Sequence, residues 1–381
     1  MTQARRLAVP PVAVPGQPLA AVGTPALLID LDAFESNLRQ MAGLAGAAGT
    51  ALRPHAKAHK SVAIAQRQVG AGAAGVCCQK LTEAYPFAEA GIASIHVSNE
   101  FVGADKAAMA AELAAWTQLS ICVDDARQVH EVGAAAAQAG VKIDVLPEVN
   151  AGQGRCGVDS TDALMALVEA IDANPALRFA GLQGYHGGVQ HVRGWQQRRE
   201  AAQRAAELTA AYVRHLEARG LRCAVVTGGG TGTAEFDIAS GVYTEIQPGS
   251  YLFMDADYGA NEWAGAFRPE HSLFIAATVM SATRPGHAVC DVGLKTVSVD
   301  SGLPRVWSRQ AGDASLNYVA ANDEHGVLEM AENTGRDPFG ERIWLVPGHC
   351  DPTVNLYDAY VCVRGGVVED VWAIEGRGLS R

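Results

Sequence analysis
From about residue 24 to residue 253 the chain repeats one pattern: a short apolar run, then a longer alanine-rich stretch with helical spacing. Strand-length apolar runs that alternate with helices are the signature of β/α units and a parallel sheet. The runs begin at Ala26, Leu52, Gly75, Ser94, Leu119, Ile143, Phe179, Ala224 and Thr244. Nine strands exceed a (β/α)8 TIM-like barrel by one, so the first is assigned to a second domain and the barrel is counted from Leu52. Helix starts are legible as well. Asp32 with Glu35 three residues later reads as a capping box, and Asp162 opens a helix with Leu164, Leu167, Val168 and Ile171 on one face. The strand count also permits a doubly wound sheet, but the strand ends speak for the barrel. Polar and flexible residues collect there: His55-Ala56-Lys57, Gln79-Lys80, Ser98-Asn99, Gln153-Gly154-Arg155, Tyr185-His186 and Gly228-Gly229-Gly230-Thr231.

After about Asp257 the texture changes to strands without long helices: LFIAATVM, AVCDVGLKTVSV, IWLVPGHC, AYVCV and VVEDVWAI. Gly365-Gly366 between the last two reads as a two-residue hairpin turn. At 381 residues and 49% apolar content the chain has material for more than one core. These signals give a barrel over residues 27–258 and a mostly-β domain from residues 259–381 together with 1–26, on which the stretch Ala8 to Pro25 packs. A net charge of −11 with no basic run excludes nucleic acid and anionic membrane as partners. No segment approaches the ~18 apolar residues of a spanning helix, and Met1 to Gln17 holds no apolar leader, so the expected location is cytoplasmic. Eight cysteines are too sparse for a disulfide scaffold, and Cys77-Cys78 read as buried thiols.

Lysine occurs only six times, and Lys57 and Lys60 stand three residues apart in Arg53-Pro54-His55-Ala56-Lys57-Ala58-His59-Lys60. An amine walled in at a strand end loses hydration, its pKa falls, and it becomes a nucleophile towards an aldehyde. The alternative is a solvated basic turn. Period two places His55, Lys57 and His59 on one face only while the strand lasts. Thr227-Gly228-Gly229-Gly230-Thr231-Gly232 follows a strand and precedes a helix, and can turn backbone N–H groups towards a phosphate monoester or be a flexible turn. Pro248-Gly249-Ser250-Tyr251 offers a second such loop one strand later, where barrels recurrently bind phosphate. A lysine for an imine and a cup for one phosphate suggest pyridoxal phosphate. Arg155 could then meet the ring's phenolate oxygen or form a loop salt bridge, and Tyr185 or His186 could face the ring. In Pro347-Gly348-His349-Cys350-Asp351-Pro352 an extended backbone puts His349 and Asp351 on one face and Cys350 on the other. An imidazole and a carboxylate completed by water suit Mg²⁺ or Mn²⁺.

With these residues assembled, the chain resembles the D-threonine aldolases, metal-activated enzymes of the alanine-racemase-like class of pyridoxal phosphate proteins. The blocks RPHAKAHK, GVCCQK, GQGRCGV, GGGTG, QPGSY, NDEHG and HCDPTVN carry the resemblance, in the family's order, from Thr24 to the C-terminus. It implies that Lys57 forms the Schiff base, leaving Lys60 a bystander, and that Arg155 meets the ring oxygen. Gly229, Gly230, Thr231, Gly249 and Ser250 hold the phosphate, Gln247 stands at the ring nitrogen, and His349 and Asp351 bind the metal. The implied reaction cleaves a D-β-hydroxy-α-amino acid to glycine and an aldehyde, with a metal-bound water, His59 or His191 as base, in a homodimer. A dehydratase giving a keto acid and ammonia is the alternative. Dehydratase relatives carry a cysteine where this sequence has Asp351, so the aspartate favours the aldolase.

Overall fold
Ten strands in chain order build the first part of the molecule: β1 (Ala26–Asp30), β2 (Ala51–Leu52), β3 (Val76–Cys78), β4 (Ser94–Val97), β5 (Gln118–Val123), β6 (Ile143–Asn150), β7 (Leu177–Phe179), β8 (Gly181–Tyr185), β9 (Val225–Gly228) and β10 (Glu245–Ile246). The structure, a computed structural model, describes residues 8–307, 316–330 and 337–381. Eight parallel strands run in the order β2-β10-β9-β8-β6-β5-β4-β3, with β7 beside β6. The two edges meet at the parallel bridge His55–Cys77, which curls the sheet into a barrel. Strand bodies such as β6 are buried on both faces, as a parallel sheet covered by helices requires.

Local signals explain the helices, with shifted boundaries. Leu164, Leu167, Val168 and Ile171 are the buried face of helix Thr161–Asp172. Its cap is Ser160, whose hydroxyl accepts from the Ala163 N–H, and Asp162 sits in the first turn. Likewise Asp30, not Asp32, caps helix Leu31–Ala48. Asp32 and Glu35 form no capping box. Both bind the Arg364 guanidinium, a contact 329 or more residues distant in sequence.

The remaining strands are β11 (Leu273–Arg284), β12 (His287–Cys290), β13 (Arg305–Trp307), β14 (Leu316–Ala321), β15 (Gly326–Met330), β16 (Arg342–Val346), β17 (Ala359–Arg364) and β18 (Val367–Ala373). They form a second sheet, β14-β15-β12-β11-β1-β17-β18, with β16 on β11 and β13 on β16. β1 is thus a strand of this sheet, antiparallel to β11 at Leu28–Phe274 and parallel to β17 at Leu28–Val361. Residues 26 and 27 lie within β1, so all of β1 goes with this sheet. Of AVCDVGLKTVSV, only the start is strand. From Gly293 the backbone turns on itself, Thr296 N–H to the Gly293 carbonyl, and leads into a loop that carries Asp300 and runs on to β13. β17 and β18 pair antiparallel across Gly365 and Gly366, whose φ values of 57° and 81° only glycine adopts freely. The segment from Ala8 packs as expected: Gly16 and Leu19 donate to the Val368 and Gly366 carbonyls. No helix among the described residues is long and apolar enough to cross a membrane.

Candidate active site
The barrel strand ends and the second domain enclose a cavity of about 770 Å³ including its open mouth. Lys57, Arg155, Tyr185, His191, Gly229, Gly230, Thr231, Gln247, Gly249, Ser250, His349 and Asp351 line it, and so do His55, Gln79, Ser98, Gln183 and Tyr258. His59 is absent from this wall. β2 ends at Leu52, and Ala56–Ala58 is a single 3-10 turn, so the alternation that would align His55, Lys57 and His59 is broken. His59 points into the core, with Nε2 3.2 Å from Gln68 Oε1 and Nδ1 accepting from Ser61 N. Burial pushes its pKa down to about 4. The geometry removes it as a base.

Lys57 also departs from expectation. Burial works to lower the pKa of its amine, but the Asp351 carboxylate 4.0 Å from Nζ, with Tyr185, outweighs it and raises the pKa above the ordinary lysine value. His55 beside it is driven well below the imidazole range by burial and by the Lys57 charge, so it stays neutral. His55 Nε2 lies 3.1 Å from Ser98 Oγ.

The glycine-rich cup after β9 is shaped by backbone. Gly229 has φ 67°, and a Cβ there would come within 2.4 Å of Asp237 Oδ2. Burial pushes the Asp237 carboxyl up to about 7, although Thr233 Oγ1 and the Gly230 N–H donate to it. Thr231 Oγ1 is buried and finds no hydrogen-bond partner among the described residues. A buried, unpaired hydroxyl in a glycine-lined cup fits a phosphate oxygen. Gln247 Nε2 donates 2.8 Å to Thr227 Oγ1, whose own proton goes to Glu245 Oε1. Arg155 stacks over Tyr185, its guanidinium carbon 5.4 Å from the ring centroid, and is otherwise exposed.

The opposite wall comes from the loop after β16. Period two does not apply here, because Cys350–Val354 is a short helix with His349 as its N-cap. The pair nevertheless reaches the cavity while Cys350 is fully buried, its thiol pushed well above the ordinary range by desolvation. Nδ1 of His349 sits 2.7 Å from Asp300 Oδ2, leaving Nε2 for a ligand, the carboxylate–histidine arrangement that orients metal-binding imidazoles. Asp255 accepts from Cys350 N at 2.9 Å and pins this loop to the barrel. Across the cavity His191 Nδ1 is 2.5 Å from Asp257 Oδ2, and Arg193 holds the same carboxylate. Asp255, Asp257 and Asp300 escaped the sequence reading because an isolated aspartate carries no spacing signal. Gln183 escaped it because a lining residue inside an apolar run looks like core, and Tyr258 because it stands beyond the last barrel strand in no motif.

The chain matches the alanine racemase N-terminal domain family over residues 29–257 and the putative serine dehydratase domain family over residues 272–363. It is 51% identical over 377 residues to the D-threonine aldolase of Arthrobacter sp, covering 99% of this chain and 98% of that one. The chain belongs to the D-threonine aldolase family. A 3-hydroxy-D-aspartate aldolase of Paracoccus denitrificans (strain Pd 1222) is 42% identical, with 96% and 95% coverage. The crystal structure of the D-threonine aldolase from Filomicrobium marinum superposes with a TM-score of 0.94 at 46% identity, over 97% of this chain and 100% of that one. D-threo-3-hydroxyaspartate dehydratase from Delftia sp. HT23 is more distant, with a TM-score of 0.82 at 28% identity, over 93% of this chain and 98% of that one. Family membership implies pyridoxal phosphate and a metal. The unpaired Thr231 hydroxyl in its glycine cup fits the first, and the oriented His349 imidazole beside Asp351 fits the second.

Proposed function
We propose that the chain cleaves D-threonine and other D-β-hydroxy-α-amino acids reversibly to glycine and an aldehyde. The observation that carries this reading is the 4.0 Å approach of Asp351 to Lys57 Nζ, which sets the metal-ligand pair beside the amine anchor. When bound, pyridoxal phosphate accepts the electron pair of the breaking Cα–Cβ bond, and a divalent ion acidifies the β-hydroxyl. Lys57 anchors the cofactor. Gly229, Gly230, Thr231, Gly249 and Ser250 hold its phosphate, and Arg155, Tyr185 and Gln247 surround the ring. His349 and Asp351 hold the ion. Thr231 and Ser250, both buried, would hold that phosphate with side chains whose own positions are fixed.

His191 takes the β-hydroxyl proton. Asp257 accepts from Nδ1–H, so the lone pair sits on Nε2, and Arg193 keeps Asp257 in place. The ion is Mn²⁺ or Mg²⁺, because the buried, protonated Cys350 offers no thiolate to draw a softer metal. All eight cysteines are unpaired, which supports a reducing, cytoplasmic setting. A homodimer follows from the family resemblance, and sedimentation checks it. Incubation with D-threonine and Mn²⁺ is expected to yield glycine and an aldehyde, with loss of product in chelator. A keto acid and ammonia would assign the dehydratase reaction instead.

A further inference from the structure
Lys60, a bystander in the proposed chemistry, is held more tightly than the lysine that performs it. Its side chain is 8% exposed, and Nζ lies 3.0 Å from Glu83 Oε1, itself 4% exposed. The same ammonium donates to Asn355 Oδ1 at 2.9 Å. The Lys60 backbone occupies the left-handed region at φ 51°, unusual for a non-glycine residue. It is fixed there by Lys60 N–H to the Ala56 carbonyl at 2.7 Å and by Gly376 N–H to the Lys60 carbonyl at 2.9 Å. Strained backbone of this kind persists where the surroundings over-determine it, and it gathers at functional sites.

The three members of this cluster come from three elements that each lead into the cavity. Lys60 follows Lys57 by three residues. Asn355 caps the C-terminus of helix Cys350–Val354, whose first turn holds Asp351 and whose N-cap is His349. The second oxygen of Glu83 accepts from the N–H groups of Gln79 and Lys80, and Gln79 lines the cavity. A buried ion pair is weak evidence for stability, because desolvation offsets most of its attraction, but it selects one arrangement of the parts it joins. We propose that Lys60 is a positioning residue which, through Asn355 and Glu83, sets the separation of Lys57 from His349 and Asp351 and so tunes divalent-metal affinity. The inference rests on the metal reading above.

The test is Mn²⁺ binding to the cofactor-loaded enzyme, followed by the free-ion EPR signal, beside thermal unfolding and the absorbance of the Lys57 imine. Asn355→Leu removes the acceptor but leaves the Lys60–Glu83 pair, and Lys60→Met removes the centre of the cluster. Both are expected to weaken Mn²⁺ binding about tenfold, with the imine intact. Ile171→Val, a fully buried core variant on the barrel's outer helix, is the control that lowers the melting temperature without moving the Mn²⁺ dissociation constant. A change of less than threefold in Asn355→Leu, whatever its melting temperature, overturns the proposal, and a larger one absent from the control supports it. Asn355→Leu decides the matter even if Lys60→Met does not fold. A wild-type enzyme that binds no Mn²⁺ overturns the metal reading itself, a separate and distinguishable failure.

Discussion
The two walls of the cavity are built on opposite principles. On the barrel side the groups proposed to receive the cofactor are strand-end backbone and small buried side chains, with Thr231 and Ser250 at 2% and 7% exposure. On the other side the pair proposed to bind the metal stands on a loop of the second domain, with the His349 side chain 30% exposed and its partner Asp300 48% exposed. A closed sheet of parallel strands holds its own ends in register, so the cup needs no outside support. The metal loop has no ladder of its own and is braced from elsewhere, by Asp300, by Asp255 and by the Lys60–Asn355 tie. In the proposed reading, cofactor binding is therefore a property of one domain, and metal activation a property of how two domains meet.

The largest effect that sharpens this contrast is at the anchor. Lys57→Ala is expected to abolish the imine absorbance and cut turnover by about 10⁴-fold. Imine absorbance that persists would move the anchor to Lys60 or Lys80. Next comes the other wall. Asp351→Ala is expected to lose metal-dependent turnover, roughly 10³-fold, while the imine remains. Full activity in chelator would break the assignment of this wall to a metal.

A smaller change is expected one bond further out. Asp300→Ala frees His349 Nδ1 and is expected to weaken Mn²⁺ by ~10- to 100-fold without altering cofactor content. If cofactor content falls as well, the two walls are not separable. The smallest effect concerns the cup. With its pKa near 7, folded Asp237 keeps its proton between about pH 4 and 7, where the unfolded chain has released it. Stability carried by this group is therefore full below about pH 4 and is lost as the pH rises through 7. Asp237→Asn is expected to flatten that decline and raise stability at pH 8 by about 2–4 kcal/mol, read from urea midpoints at several pH values. A midpoint at pH 8 no higher than that of wild type would show the carboxylate to be charged and satisfied beneath the cup.

Much of this arrangement was legible in the chain. The β/α rhythm announced the barrel, and the surplus first strand pointed to a second sheet. Lys57 stood out as one of six lysines, at a strand end. The glycine loops and the His349–Asp351 pair were visible because each is contiguous. The pair reached the cavity although its segment is a helix start and not a strand, since an extended N-cap also turns its side chain away from the next residue's. His59 shows the limit of that kind of inference. β2 stops at Leu52, seven residues before His59, so the alternation of a strand no longer sets the direction of that side chain.

What the sequence alone determined is the set of chemical groups and the strand ends that carry them: an amine, two glycine loops and a histidine–aspartate pair. Only the tertiary structure decided that His191 and not His59 faces the cavity, that β1 belongs to the second sheet, and that Asp255, Asp257 and Asp300 contact Cys350, His191 and His349. Composition and spacing are properties of neighbours along the chain, whereas Asp257 meets His191 across 66 residues and Lys60 meets Asn355 across 295. Contacts at that separation are set by how the packed elements close on one another, and no local pattern records them.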